Sequence, residues 1–182
     1  MKNSKFIKII SKLTFIFMLN NLFSCAIKDP EHYSQKSPKL DIREYFNGNI
    51  EAYGVLKDWK GEVKRKFTVT MQSSWNENVG TLKEHFIFDD GKEEDRIWTL
   101  ELSDKHHFTG TAHDVVKTAK GRQFGNAMRM DYTLRVDIDN KKVDLKVEDW
   151  MYLISDKNLI NESKLKKFGI TVAKLTIGFN KL

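Results

Sequence analysis

Residues 128–139, "MRMDYTLRVDID", decide the fold. Met128, Met130, Tyr132, Leu134, Val136 and Ile138 fall on one face, and Arg129, Asp131, Thr133, Arg135, Asp137 and Asp139 on the other. Successive side chains of a strand point to opposite faces, so this alternation predicts a strand with one dry and one wet side. Asp139-Asn140-Lys141-Lys142 reads as a turn. "VDLKVEDWMYL" then repeats the pattern, with Val143, Leu145, Val147, Met151 and Leu153 inward. The period is two, not the 3.6 of a helix.

Working outward, further strands are expected at about 49–57, 63–75, 80–89, 94–103 and 106–115. The intervening "DWKG", "NENVG", "DDGK" and "SDKHH" are built from the Asp, Asn, Gly and Ser that turns use. A last strand is expected over about 168–180. There the apolar parity shifts from Ile170 and Val172 to Leu175, Ile177 and Phe179, which predicts a bulge. Eight or nine strands on short turns favour an antiparallel up-and-down barrel, lipocalin/calycin-like, because closure removes exposed edges. A β-sandwich is the competing arrangement. Lys, Asp and Glu recur along the outer faces, which argues against a lipid-facing transmembrane barrel.

The first 24 residues carry Lys2, Lys5, Lys8 and Lys12 and no acid, with an apolar run from Leu13 to Leu19. That is the pattern of a secretory signal, too short to stop in a bilayer. Leu22-Phe23-Ser24-Cys25 ends it with the chain's one cysteine. The arrangement resembles the lipobox of bacterial lipoproteins, in which the thiol is acylated and the peptide cut before it. A buried structural cysteine is the alternative. Acyl chains at about 0.8 kcal/mol per buried CH₂ would hold such a protein on a membrane. Ala26, rather than Asp, resembles the pattern sorted to the periplasmic face of the outer membrane.

The expected organisation is therefore a signal peptide over 1–24, a lipidated cysteine and flexible tether over 25–40, and one β-barrel domain over 41–182. The tether would reach about 50 Å at ~3.3 Å per residue. The whole chain is +6, but removing the signal leaves 27 basic against 25 acidic residues. That balance, with no basic stripe of stacking aromatics, leaves no footprint for nucleic acid. No other cysteine exists for a disulfide.

Strand parity places five ionisable residues on dry faces. Arg65 lies with Phe67 and Met71, Glu84 with Phe86, Arg96 with Trp98, Asp114 with Phe108, and Asp149 between Val147 and Met151. A lone buried charge costs several kcal/mol, so these should pair or meet a polar group. Three readings stay open: an ion network that sets register, a polar spot for a ligand's head group, and a catalytic acid–base group. His106, His107, His113 and Asp114 lack convincing metal-ligand geometry in a turn, and no metal or cofactor is expected. Gly121-Arg122-Gln123-Phe124-Gly125 reads as a flexible connection, and Trp150 and Tyr152 as outward-facing edge packing.

"YFNGNIEAYGVLKDWKGEVKRKFTV", "GTLKEHFIFDDG", "RIWTL", "GTAHDVV", "GNAMRMDYTL" and "EDWMYLISDKNLINESKLKKFGI" together resemble the bacterial lipoproteins catalogued as domain of unknown function 3833, over about Tyr45 to Phe179. The family's pattern matches at Glu84, Arg96, Trp98, Asp114, Gly125-Asn126-Ala127, Asp149-Trp150-Met151, Asn161 and Phe168-Gly169. His113 departs from it, as Glu148 does more mildly. Members often stand beside genes for fatty-acid modification and membrane stress, so the resemblance implies a lipid connection.

The expected function is a membrane-anchored lipoprotein of the cell envelope that binds a fatty acid or other small amphipathic lipid. Arg65 and Arg96 would meet the head group, with Glu84, Asp114, Asn126 and Asp149 as the polar surround. Phe67, Met71, Phe86, Trp98, Met130 and Leu145 would line the tail site. The alternatives are a structural or assembly lipoprotein with a filled barrel that binds an envelope protein, and, ranked below it, a lipid-modifying enzyme.

Overall fold

The computed structural model describes residues 29–182. The signal peptide and Cys25 lie outside the described residues. Ten antiparallel strands close into one barrel. They are β1 (Gly48–Asp58), β2 (Val63–Asn76), β3 (Val79–Phe88), β4 (Glu93–Leu102), β5 (His107–Thr111), β6 (Ala119–Phe124), β7 (Ala127–Ile138), β8 (Lys141–Leu153), β9 (Asn158–Lys167) and β10 (Ile170–Lys181). Each pairs with its sequence neighbours, and β1 closes the ring on β10, from Ile50 opposite Lys181 to Asp58 opposite Ala173. The expected bulge is present, where the β10–β9 register shifts between Thr171 and Ala173.

The strand count exceeds the expected eight or nine because β6 and β9 carry no clear apolar alternation. The expected strand over 106–115 stops at Thr111, and the "flexible connection" is β6. Gly121 is required there because a Cβ would lie 2.1 Å from the ring of Phe108, itself fully buried. β9 also went unread. Its inward positions are Leu159, Asn161, Ser163 and Leu165, and the two polar members break the apolar alternation.

One end of the barrel is plugged. Asp41 caps a single helical turn, α1 (Ile42–Tyr45), by accepting from the Arg43 N–H at 2.8 Å. Leu40, Ile42, Tyr45 and Phe46 are all buried in this end. Trp75 Nε1 donates to the Phe46 carbonyl at 2.7 Å, and the Tyr45 hydroxyl to that of Lys157 at 3.0 Å. The buried polar Gln123 accepts from the Ile42 N–H at 3.0 Å.

The flexible tether expected over 25–40 is corrected from Asp29 onward. Asp29 pairs with Arg122 at 2.6 Å, and Pro30 opens a 3₁₀ turn (Pro30–Tyr33). The ring of Tyr33 packs on Trp150 and Tyr152 at 6.1 and 5.6 Å. These outward aromatics are thus covered by the chain's own N-terminal segment. Gly125, at φ +57°, admits it: a Cβ there would overlap the Tyr33 carbonyl oxygen. Tyr33 and Leu40 supply the apolar contacts that a composition-based reading of a polar, proline-bearing stretch discounts. All ten strands and the plug come from residues 29–182, so a chain beginning at Ala26 keeps the whole barrel.

Candidate ligand cavity and its charged floor

The end opposite the plug is open. Its tips are the β1–β2, β3–β4, β7–β8 and β9–β10 hairpins and the link over 112–118. A cavity of about 460 Å³ sits inside this mouth. Leu56, Phe67, Phe86, Phe88, Leu134, Val136, Leu165 and Leu175 wall it. The three phenylalanines form one aromatic wall, Phe67 lying 5.7 Å from both Phe86 and Phe88. Arg65, Lys92, Glu94 and Asp95 stand at the rim, Arg96 and Asp114 at the floor, and the exposed His113 borders the opening.

Arg65 does not join an inner charge cluster, as parity had suggested. Its guanidinium lies 3.7 Å over Phe88, and it pairs with Asp90 at 3.3 Å. The other four do come together. Arg96 Nε donates to Asp114 Oδ1 at 3.2 Å, while Nη2 lies 3.1 Å from Oδ2 without hydrogen-bond alignment. Asp114 reaches this point because β5 is short. The link after it crosses the upper part of β7, held by Val116 N–H to Thr133 O and Arg135 N–H to Asp114 O.

Glu84 lies directly opposite Arg96 across the β3–β4 ladder, and its Oε2 is buried without a hydrogen-bond partner. Burial, opposed by Arg96 and reinforced by Asp114 and Asp149, pushes its carboxyl up to about 7. Asp149 is buried and accepts from Ser163 Oγ at 2.7 Å and from Asn161 Nδ2. Burial raises its pKa despite those bonds and Arg96. Tyr132, whose hydroxyl also meets Asp149, is raised by burial and by that carboxylate. One cation thus faces three acids, and burial favours the protonated forms of Glu84 and Asp149.

Below this layer the barrel is nearly full. Only about 90 Å³ remains between Met71, Glu84, Arg96, Trp98, Met130 and Asp149. Met71, Trp98 and Met130 line this smaller inner space and not the mouth, and Phe86 borders both. Leu145 lines neither space but packs in the apolar cluster with Val147 and Leu165 that backs the Leu134, Val136 and Leu175 wall of the mouth. Asn126 sits at the plugged end, donating to the Leu153 carbonyl at 3.4 Å, because it closes the β6–β7 turn. A depression of about 540 Å³ on the outer wall of β1–β4 is edged by Thr70, Gln72, Lys83, Ile97 and Leu182.

Sequence reasoning missed Phe88, Leu134, Val136, Leu165 and Leu175 as cavity walls, and Tyr132 and Ser163 as partners of Asp149. Parity marked the inward ones. Depth along the barrel, which separates mouth from closed half, had no signal in it. His106 stacks on Phe124 at 4.2 Å and His107 pairs with Asp104. No group of three or more potential metal ligands occurs among the described residues.

A family described as "Protein of unknown function (DUF3833)" matches residues 19–181. No curated protein matches the sequence. Among solved structures, the barrel is similar to a protein of unknown function of the DUF3598 family from Nostoc punctiforme. The TM-score is 0.56 at 13% identity, over 81% of this chain and 51% of that one, so the chain spans about half of that protein's length. It is also similar to the S-type phycobiliprotein lyase CPES of Guillardia theta, with TM-score 0.53 and 6% identity over 77% of this chain and 90% of the lyase. At these identities the likeness establishes the lipocalin-like barrel fold.

Proposed function

The chain belongs to the DUF3833 family of unknown function, and from the geometry of its mouth we propose that it binds one small amphipathic molecule of the fatty-acid class. The observation that carries this is the open cavity of about 460 Å³, walled by aromatic and aliphatic side chains, with Arg65 and Lys92 on a rim they share with Glu94 and Asp95. Cavities of ~300–1,000 Å³ with a few convergent polar groups are the usual form of small-molecule sites. The tail would lie along Phe67, Phe86 and Phe88. Its anionic end would meet Arg65 and Lys92 at the rim in exchange for their solvent-exposed pairs with Asp90 and Glu94, whereas the floor sets three acids against Arg96. The filled closed half favours a structural role for that half alone.

The test is a titration with an anionic fluorescent probe such as anilinonaphthalene sulfonate, followed by competition with palmitate. Leu175→Trp, which puts a larger side chain into the mouth, is expected to weaken probe binding about tenfold while the barrel stays folded. Unchanged binding by a folded Leu175→Trp protein would remove the mouth as the site.

The envelope address completes the reading: secretion, acylation of Cys25 and attachment to the periplasmic face of the outer membrane. The basic start and the Leu22–Cys25 pattern support it. Cys25→Ser is expected to leave an unprocessed, unlipidated precursor, read by metabolic labelling with radioactive palmitate. Normal labelling of that variant would overturn it.

A further inference from the structure

The hairpin tips around the mouth break the rules that the rest of the surface obeys. Phe168 is 93% exposed and holds φ +51° in the Phe168-Gly169 turn between β9 and β10. A bulky residue with positive φ is uncommon, since such turns prefer Asn, Asp or Gly. Folding therefore gains nothing from this phenylalanine, neither burial nor turn geometry, and a strained, exposed position of that kind points to function. Its neighbour Ile170 is 70% exposed, and Trp59, on the β1–β2 tip, is 71% exposed. These two tips adjoin, because β1 pairs with β10. The β7–β8 tip carries Ile138, 49% exposed, and stands next along the rim, because β8 pairs with β9.

Cations surround these apolar tips. Lys60 lies 5.1 Å from the Trp59 ring and Lys167 5.2 Å from that of Phe168. Lys60, Lys141 and Lys142 form no ion pair among the described residues. Acids stand on these tips too, Asp58 and Glu62 pairing with Lys64 and Asp139 preceding Lys141, but the largest group of rim acids, Asp89, Asp90, Glu93 and Glu94, sits on the β3–β4 tip.

We propose that this side of the open rim docks on an anionic lipid bilayer. Phe168, Ile170 and Trp59 would enter the interfacial layer, and the lysines would meet lipid phosphates. Aromatic side chains favour that layer, and each surface lysine is attracted by anionic head groups. Separate apolar tips flanked by exposed lysines suit a fluid, anionic interface. The rim is also the mouth of the cavity, so docking would set the opening against lipid. The inference stands on the tips and not on occupancy of the mouth. Residues 26–182 carry no acyl anchor, so vesicle binding by this chain measures the rim of the barrel alone.

The experiment uses residues 26–182 with vesicles of phosphatidylcholine, alone or mixed with phosphatidylglycerol, read by flotation and tryptophan emission. The expected result is binding to the anionic vesicles, with a blue shift, that weakens with salt. Phe168→Asn combined with Trp59→Ser is expected to lower that binding about tenfold or more, and Lys141→Glu with Lys142→Glu by a similar factor. Asn is at home at positive φ, so Phe168→Asn should keep or raise the melting temperature, and lost binding then means lost docking. Absence of vesicle binding at low salt overturns the proposal, as does undiminished binding by the tip variant. Probe binding in the mouth is measured on the same proteins. Vesicle binding without probe binding would leave docking standing and remove the ligand; the reverse would do the opposite.

Discussion

Arg96→Met is expected to destabilise the barrel by about 3 kcal/mol. Breaking a buried pair by removing one partner costs about 3–5 kcal/mol, because the remaining charge has nothing to balance it. The lower end applies here, since the Arg96 and Asp114 side chains keep 18% and 24% exposure. For a domain of this size, that lowers the melting temperature by roughly 6–12 °C. The loss should be larger at pH 8 than at pH 5, because Glu84 and Asp149 also depend on Arg96 when ionised. Arg96→Met with Asp114→Leu, which removes both charges, should recover much of it. Thermal unfolding at the two pH values decides the matter. A single variant that melts like the wild type would mean that the guanidinium balances none of the acids around it.

Glu84→Gln should act in the opposite sense and only at higher pH. In the fold Glu84 keeps its proton up to about pH 7, against an ordinary value of 4.5. Between those values the folded state binds more protons than the unfolded state. Its contribution is therefore fully present below about pH 4.5 and is lost as pH rises through about 7. Burial raises Asp149 as well, which adds a slope of the same sign. Glutamine resembles the protonated acid at every pH. The variant should match the wild type near pH 4.5 and exceed its stability at pH 8 by on the order of 2–3 kcal/mol. Urea unfolding across this range measures it. If Glu84→Gln proves less stable at pH 8, the attraction between the ionised Glu84 and Arg96 outweighs the cost of burial.

Much of the barrel was legible because a strand with one wet face writes its geometry into alternate residues. β2, β4, β7 and β8 did so almost completely, and even the bulge of β10 appeared as a parity shift. β9 was hidden by its own function in the charge layer: Asn161 and Ser163 face inward to Asp149, and a polar residue on the dry side reads as a wet one. β6 was hidden by Gly121, whose missing side chain is a fit to Phe108 on the neighbouring strand. The N-terminal segment was hidden because its anchors, Tyr33 and Leu40, are few and stand far apart in a polar stretch.

Of the candidate site, the sequence by itself determined which residues face inward, because parity is local to each strand. It therefore placed Glu84, Arg96 and Asp149 inside, along with the phenylalanines of β2 and β3. Only the tertiary structure decided their depth. Register between strands sets Glu84 against Arg96 and lifts Arg65 to the rim beside Asp90. The length of β5 decides that Asp114 swings in, and the plug of α1 decides which end stays open. These follow from contacts between residues distant in the chain, and no local period carries them.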